Sequence, residues 1–70
     1  MNKKEKQFKE ASEMLDDVCK LYNEANANNE DKKEISNLLS LAILAAESTG
    51  FKVKIDMNES GYITRLAVGY

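Results

Sequence analysis

Residues 35–46 read ISNLLSLAILAA, the one strongly apolar run in a chain otherwise rich in lysine, glutamate and asparagine. Taken as a helix at about 100° per residue, Leu41, Ala45, Leu38, Ala42, Ile35, Ala46, Leu39 and Ile43 fall in that angular order within an arc of about 200°. Ser36, Ser40, Asn37 and Glu47 take the remainder. An ordinary amphipathic helix carries a stripe nearer 100° wide, so this run predicts a central helix covered from more than one side. Leu44 stands apart, about 180° from Ile35, among the serines and Asn37. It is either a single exposed leucine, normal on any protein surface, or, with Leu41, a contact for a partner subunit or target.

Upstream, Asn2 and Glu5 have the spacing of a capping box, which starts a first helix there. From Phe8 the apolar positions run Phe8, Ala11, Leu15, Val18, Tyr22 and Ala25, alternating three and four residues apart, with Met14, Cys19 and Leu21 widening the stripe. That seam suits packing against the central helix and is too short for a free coiled coil. On the opposite face Glu5 precedes Lys9 and Asp16 precedes Lys20 by four residues, the favourable order for ion pairs. The acids left over, Glu10, Glu13, Asp17 and Glu24, make the outer surface acidic: a solvated helix face, or a docking surface for a basic partner.

The asparagine-rich NEANANN of residues 23–29 competes for backbone hydrogen bonds and tolerates left-handed geometry, so the first helix should end within it, near residue 25. Asp31 with Glu34, or Asn28 with Asp31, caps the second helix, placed at about residues 31–49. Gly50 then sits where a left-handed residue closes a helix.

Beyond Gly50 the period changes to two. Phe51, Val53, Ile55 and Met57 alternate with Lys52, Lys54 and Asp56, and after the turn NESG a second alternating strand carries Tyr62, Thr64, Leu66, Val68 and Tyr70 to the end of the sequence. With Ser60 and Gly61 as a two-residue loop, Ile55 faces Leu66, Val53 faces Val68, Phe51 faces Tyr70 and Asp56 faces Arg65. A two-residue slip would oppose Lys54 to Arg65, so the first register is preferred. Tyr62 and Tyr70 alternate onto the core side, and Ile63 onto the outer side. The expected architecture is a single α+β domain, residues 1–70: two antiparallel helices followed by a C-terminal β-hairpin (51–57 and 62–69) that packs on the second helix.

Seventy residues bury only a thin core, for which association is a common remedy, and homo-oligomerisation through the hairpin edge or the second helix is expected. Ten basic and twelve acidic side chains leave a net charge of −2, unevenly spread. Residues 1–9 sum to +3 and residues 10–31 to −6. The lone Cys19 offers no intrachain disulfide and reads as a buried, inert thiol. With no apolar stretch after the N-terminal lysines and no run near the roughly 20 residues of a membrane span, a cytoplasmic protein with no membrane partner is expected.

Chemistry-bearing patterns are sparse. The chain has no histidine, Asp16 and Asp17 project about 100° apart, and no phosphate loop, zinc spacing or calcium loop occurs, so no enzyme activity, cofactor or metal is expected. Two surfaces remain for function. Glu10, Glu13, Asp17 and Glu24 with Leu44 are the candidate protein-binding residues. Lys52, Lys54 and Arg65, on the outer face of the hairpin, are either a solvated face or an anion-binding patch for nucleic acid or nucleotide, without an interleaved aromatic to stack bases.

In size, single-domain organisation and a composition typified by NEANANNEDKKE, the chain resembles the small proteins that phages of low-GC bacteria encode to bind and block host machinery, including anti-CRISPR inhibitors. That resemblance implies a non-catalytic inhibitor or adaptor of a macromolecular target and assigns no residue a role.

Overall fold

The computed structural model describes residues 2–70 and has the element order α1 (Lys3–Ala27), α2 (Lys33–Ser48), β1 (Lys52–Met57) and β2 (Ile63–Gly69). The architecture is α-α-β-β, as the periodicities predict. α1 starts at the expected cap: the Glu5 N–H donates to Asn2 Oδ1 at 2.8 Å, and Glu5 in turn accepts from the Asn2 side-chain amide.

Both helices end on the same device. At α2, Phe51 N–H donates to the Ala46 carbonyl and Gly50 N–H to Glu47, with Gly50 at φ 99°; this is a Schellman motif. At α1, Glu30 N–H donates to Ala25 and Asn29 N–H to Asn26, and the left-handed residue is Asn29 at φ 54°. The asparagine-rich segment therefore does not end the helix at residue 25; Asn23 and Asn26 lie inside α1, and only Asn28 and Asn29 close it. The cap of α2 also differs from expectation: Lys32 is the N-cap residue, with no side-chain bond of its own, and Asp31 just before it accepts from the Lys33 N–H at 3.0 Å.

The hairpin keeps the expected register over most of its length, pairing Val53 with Val68, Ile55 with Leu66 and Asp56 with Arg65. Its turn is not the two-residue loop. Met57 pairs with Ile63, leaving Thr64 as an extra residue on β2. Asn58 organises the loop by accepting at Oδ1 from the Ser60 and Tyr62 N–H groups, both at 3.0 Å, and Gly61 closes it at φ 84°. A bulge reverses which face a strand presents from that point on. Ile63, expected on the outer side, is accordingly buried at 8% exposure.

The sheet lies across both helices, β1 against α2 and β2 against α1. Leu15, Ala42, Ala46 and Phe51 form the buried centre, with Phe8, Leu39, Ile43, Val53, Leu66 and Val68 packed around it. Phe8 stacks on Tyr70 at 5.1 Å between centroids and meets Phe51 edge-on, which ties the start of α1 to both strands at the open end of the hairpin. Tyr70 thus lays one ring face on the aromatic cluster but stays 61% exposed, short of the core-side burial expected, and the half-buried Tyr62 sits at the turn end. Lys4, over the Phe51 ring at 4.8 Å, donates to the Thr49 carbonyl at the C-terminus of α2.

The expectation of a central, wrapped helix needs correction. α2 is covered from two sides, but the small Ala42 and Ala46 take the buried arc against α1, while Leu39 and Ile43 turn to the sheet. None of the described residues covers the third side. Alanines permit close approach of two backbones, and the bulkier leucines are left pointing away from it.

Candidate functional site

The third side of the helical layer is the principal surface left without a partner. A shallow open groove of about 250 Å³ runs between the helices, lined by Gln7, Glu10, Ala11 and Met14 of α1 and Ala42, Ala45, Ala46 and Thr49 of α2. No hairpin residue contributes, so the groove opens on the face away from the sheet. Leu41 and Leu38 flank Ala45 within about 40° on α2, and Leu21 lies about 20° from Met14 on α1. The exposures of Met14 (55%), Leu21 (48%), Leu38 (46%), Leu41 (64%) and Leu44 (59%) confirm that these side chains face solvent. One apolar strip thus crosses both helices, and exposed apolar surface of this kind marks interaction sites.

Sequence reasoning placed Leu44 and Leu41 on such a surface and missed Met14, Leu21 and Leu38. The signal that finds them was present: Met14 and Leu21 are seven residues apart, as are Glu10, Asp17 and Glu24. The apolar row and the acidic row therefore run side by side along α1, each repeating about every 10.5 Å. Glu10, Glu13, Asp17 and Glu24 are all exposed, and among the described residues the one ion pair is Lys20 with Asp16 at 3.0 Å. Asp16 accordingly pushes the Lys20 ammonium pKa up, by hydrogen bond first and charge second. The expected pair of Glu5 with Lys9 does not form, because Glu5 is held at the cap. In a single copy the acidic row and Leu44 lie on opposite margins of the face, separated by the width of two helices.

Lys52, Lys54 and Arg65 are exposed and share the outer face of the sheet. Asp56 pairs directly with Arg65 on that same face, reducing the patch to a local charge of +2, and the buried Ile63 contributes nothing to it. The β2 edge, expected to be open, is occupied at Ile63: Asn23 Nδ2 donates to the Ile63 carbonyl at 3.0 Å and Asn23 Oδ1 accepts from its N–H at 2.7 Å. Asn26 likewise donates to the Ser60 carbonyl while accepting from the Lys32 ammonium.

Cys19 is buried under β2, beside a small cleft that also touches Asp16 and Arg65. Burial, and secondarily Asp16, push its thiol pKa up, the opposite of what a nucleophilic cysteine requires. Among the described residues no three acidic, cysteine or histidine side chains gather as metal ligands, and no helix is long and apolar enough to cross a membrane. Comparison with protein-family models, with curated proteins and with solved structures finds no match to this chain.

Proposed function

We propose that this protein acts by binding, as an inhibitor or adaptor of a macromolecular target, and that it makes contact through the outer face of its helical layer. The observation that carries this reading is the apolar strip of Met14, Leu21, Leu38, Leu41 and Leu44 left bare beside a row of acids with no ion pair among the described residues. A chain this short has few large apolar side chains, and leaving five about half exposed is costly unless another surface covers them: each forgoes roughly half of the 1.5–3 kcal/mol that full burial of such a side chain supplies. A phage-type anti-defence protein such as an anti-CRISPR is one role that a molecule of this build serves.

The test is affinity capture from the native host with the wild-type chain and with L38E/L41E and E13K/D17K variants, read by quantitative mass spectrometry. A target retained by the wild type and depleted at least about tenfold by both variants, with far-UV circular dichroism unchanged, is expected. A capture profile identical for all three proteins would remove this face from the function.

A further inference from the structure

The two edges of the hairpin differ. Asn23 takes up both backbone groups of Ile63, so those groups point away from β1. In an antiparallel ladder directly opposed residues share one orientation, both turned toward the partner strand or both turned away from it. Met57, which pairs with Ile63, therefore turns its N–H and C=O away from β2, and by alternation so do Ile55 and Val53. Asn58 and Asp56, one residue out of phase, face inward as this requires: the Asn58 N–H donates to the Tyr62 carbonyl, and the Asp56 carbonyl accepts from Thr64 Oγ1. No loop, helix or side chain among the described residues takes up the outward groups of Val53, Ile55 and Met57. An amide caps the β2 edge at Ile63; the β1 edge is open along its length.

We infer that this open edge takes an extended acidic segment of another protein, added antiparallel as a third strand, with a carboxylate opposite each of Lys52 and Lys54. The outward groups recur at every second residue, about 6.8 Å apart, a spacing that an extended backbone matches, and antiparallel addition is the more stable pairing. Charge names what the strand carries. On the outer face Asp56 already has Arg65 opposite it, whereas Lys52 and Lys54 lie opposite Gly69 and Ala67. Both lysines are exposed, and neither has an ion pair among the described residues. The flank left to them is the open one. Lysines on an edge keep unselected strands off, and the same two charges admit a strand with acids two residues apart. The residues between those acids fall on the core face beside the half-buried Val53 and Ile55, where apolar side chains suit.

A second copy of this chain does not fit the same edge. Helices pack about 8–10 Å apart and strands about 4.7–4.9 Å apart, and β1 lies on α2 as β2 lies on α1. The hairpin is thus narrower than the pair of helices it covers, and α2 overhangs the open edge. Two β1 edges joined antiparallel are related by a two-fold axis perpendicular to the sheet, which sets both helical layers on one side and drives the two α2 helices into each other. A strand with no helix on that side passes beneath the overhang.

The test is a titration of the isotope-labelled full chain with the end-capped peptide Val-Thr-Val-Glu-Val-Glu, read by amide chemical shift and hydrogen exchange in NMR. Antiparallel to β1, its glutamates oppose Lys54 and Lys52 and its central valine opposes Ile55. At millimolar peptide the Val53, Ile55 and Met57 amides are expected to shift and to exchange more slowly. Replacing both glutamates with lysine should weaken binding about tenfold, and K52E/K54E, with unchanged far-UV circular dichroism, should reverse that preference. N-methylation of the valine opposite Ile55, whose N–H points at the edge, should abolish binding, whereas N-methylation of the glutamate opposite Lys54, whose N–H points away, should preserve it. Unmoved amides at millimolar peptide, equal binding of the acidic and lysine peptides, or equal binding of the two methylated peptides would each overturn the proposal. So would amide protection that grows with the concentration of the chain alone, the sign of a second copy on the edge. This edge is separate from the helical face: L38E/L41E should bind the peptide as the wild type does, so loss of the captured target and loss of the peptide are read independently.

Discussion

The side-chain amide of Asn23, in the penultimate turn of α1, brackets the backbone of Ile63, donating to its carbonyl at 3.0 Å and accepting from its N–H at 2.7 Å. The amide imitates a neighbouring strand, and does so beside the bulge, where β2 turns Ile63 inward. Replacing Asn23 with alanine strands both groups in a part-buried setting and should lower stability by about 1–3 kcal/mol. Asn23→Asp, which keeps the acceptor and loses the donor, should fall between. Urea denaturation with an unchanged m-value checks the order; a loss under 0.5 kcal/mol for Asn23→Ala would mean that water replaces the amide freely.

The two Schellman ends predict opposite responses. Asn29 holds φ 54° at a position glycine fills more easily, so Asn29→Gly should stabilise by a few tenths to about 1 kcal/mol. Gly50 holds φ 99°, and a Cβ there would come within 3.3 Å of Lys4 Nζ. Gly50→Ala should therefore destabilise by about 1–2 kcal/mol. Thermal melts of the two variants should shift in opposite directions.

The alanine ridge of α2 sets how closely the helices approach. Ala46→Leu forces extra volume between α1, α2 and Phe51 and should cost about 1–3 kcal/mol, whereas Leu15→Ala, which empties the one fully buried large side chain, should cost about 2–5 kcal/mol. Equal tolerance of both substitutions in denaturant titrations would contradict the packing described.

Cys19 should resist modification. Reaction with a disulfide reagent at pH 8 requires both opening of the β2 cover and loss of a proton that burial holds on, so labelling should be on the order of 100-fold slower than in denaturant. The raised thiol pKa also has a linkage consequence. The folded state keeps this proton to higher pH than the unfolded state, so the stability it contributes is present below the unfolded thiol pKa of about 8.5 and declines as pH rises beyond it. Cys19→Ala should flatten that alkaline decline.

Much of the candidate site was legible in residue spacing, and the parts that were not have a common cause. The acidic row and Leu44 follow from a helix wheel alone, since an exposed position on a helix is set by its angle. Leu38 reads as core because its arc is apolar, and apolar character does not say whether there is enough chain to cover it. Asn23 and Asn26 read as helix breakers because local competition for hydrogen bonds is a sequence-near effect; their partners, Ile63 and Ser60, are some 40 and 34 residues away.

The sequence by itself determined the four elements, the capping of α1, the Gly50 stop and the pairing of Val53 with Val68 and Ile55 with Leu66, because periodicity, caps and cross-strand charge act between neighbours. Only the tertiary structure decided the bulge at Thr64, the inward turn of Ile63 and the bare side of the helical layer. Those depend on which surfaces remain once a thin sheet has been laid across two helices: one hairpin is wide enough to cover one face of the pair, and the other face is left to whatever binds it.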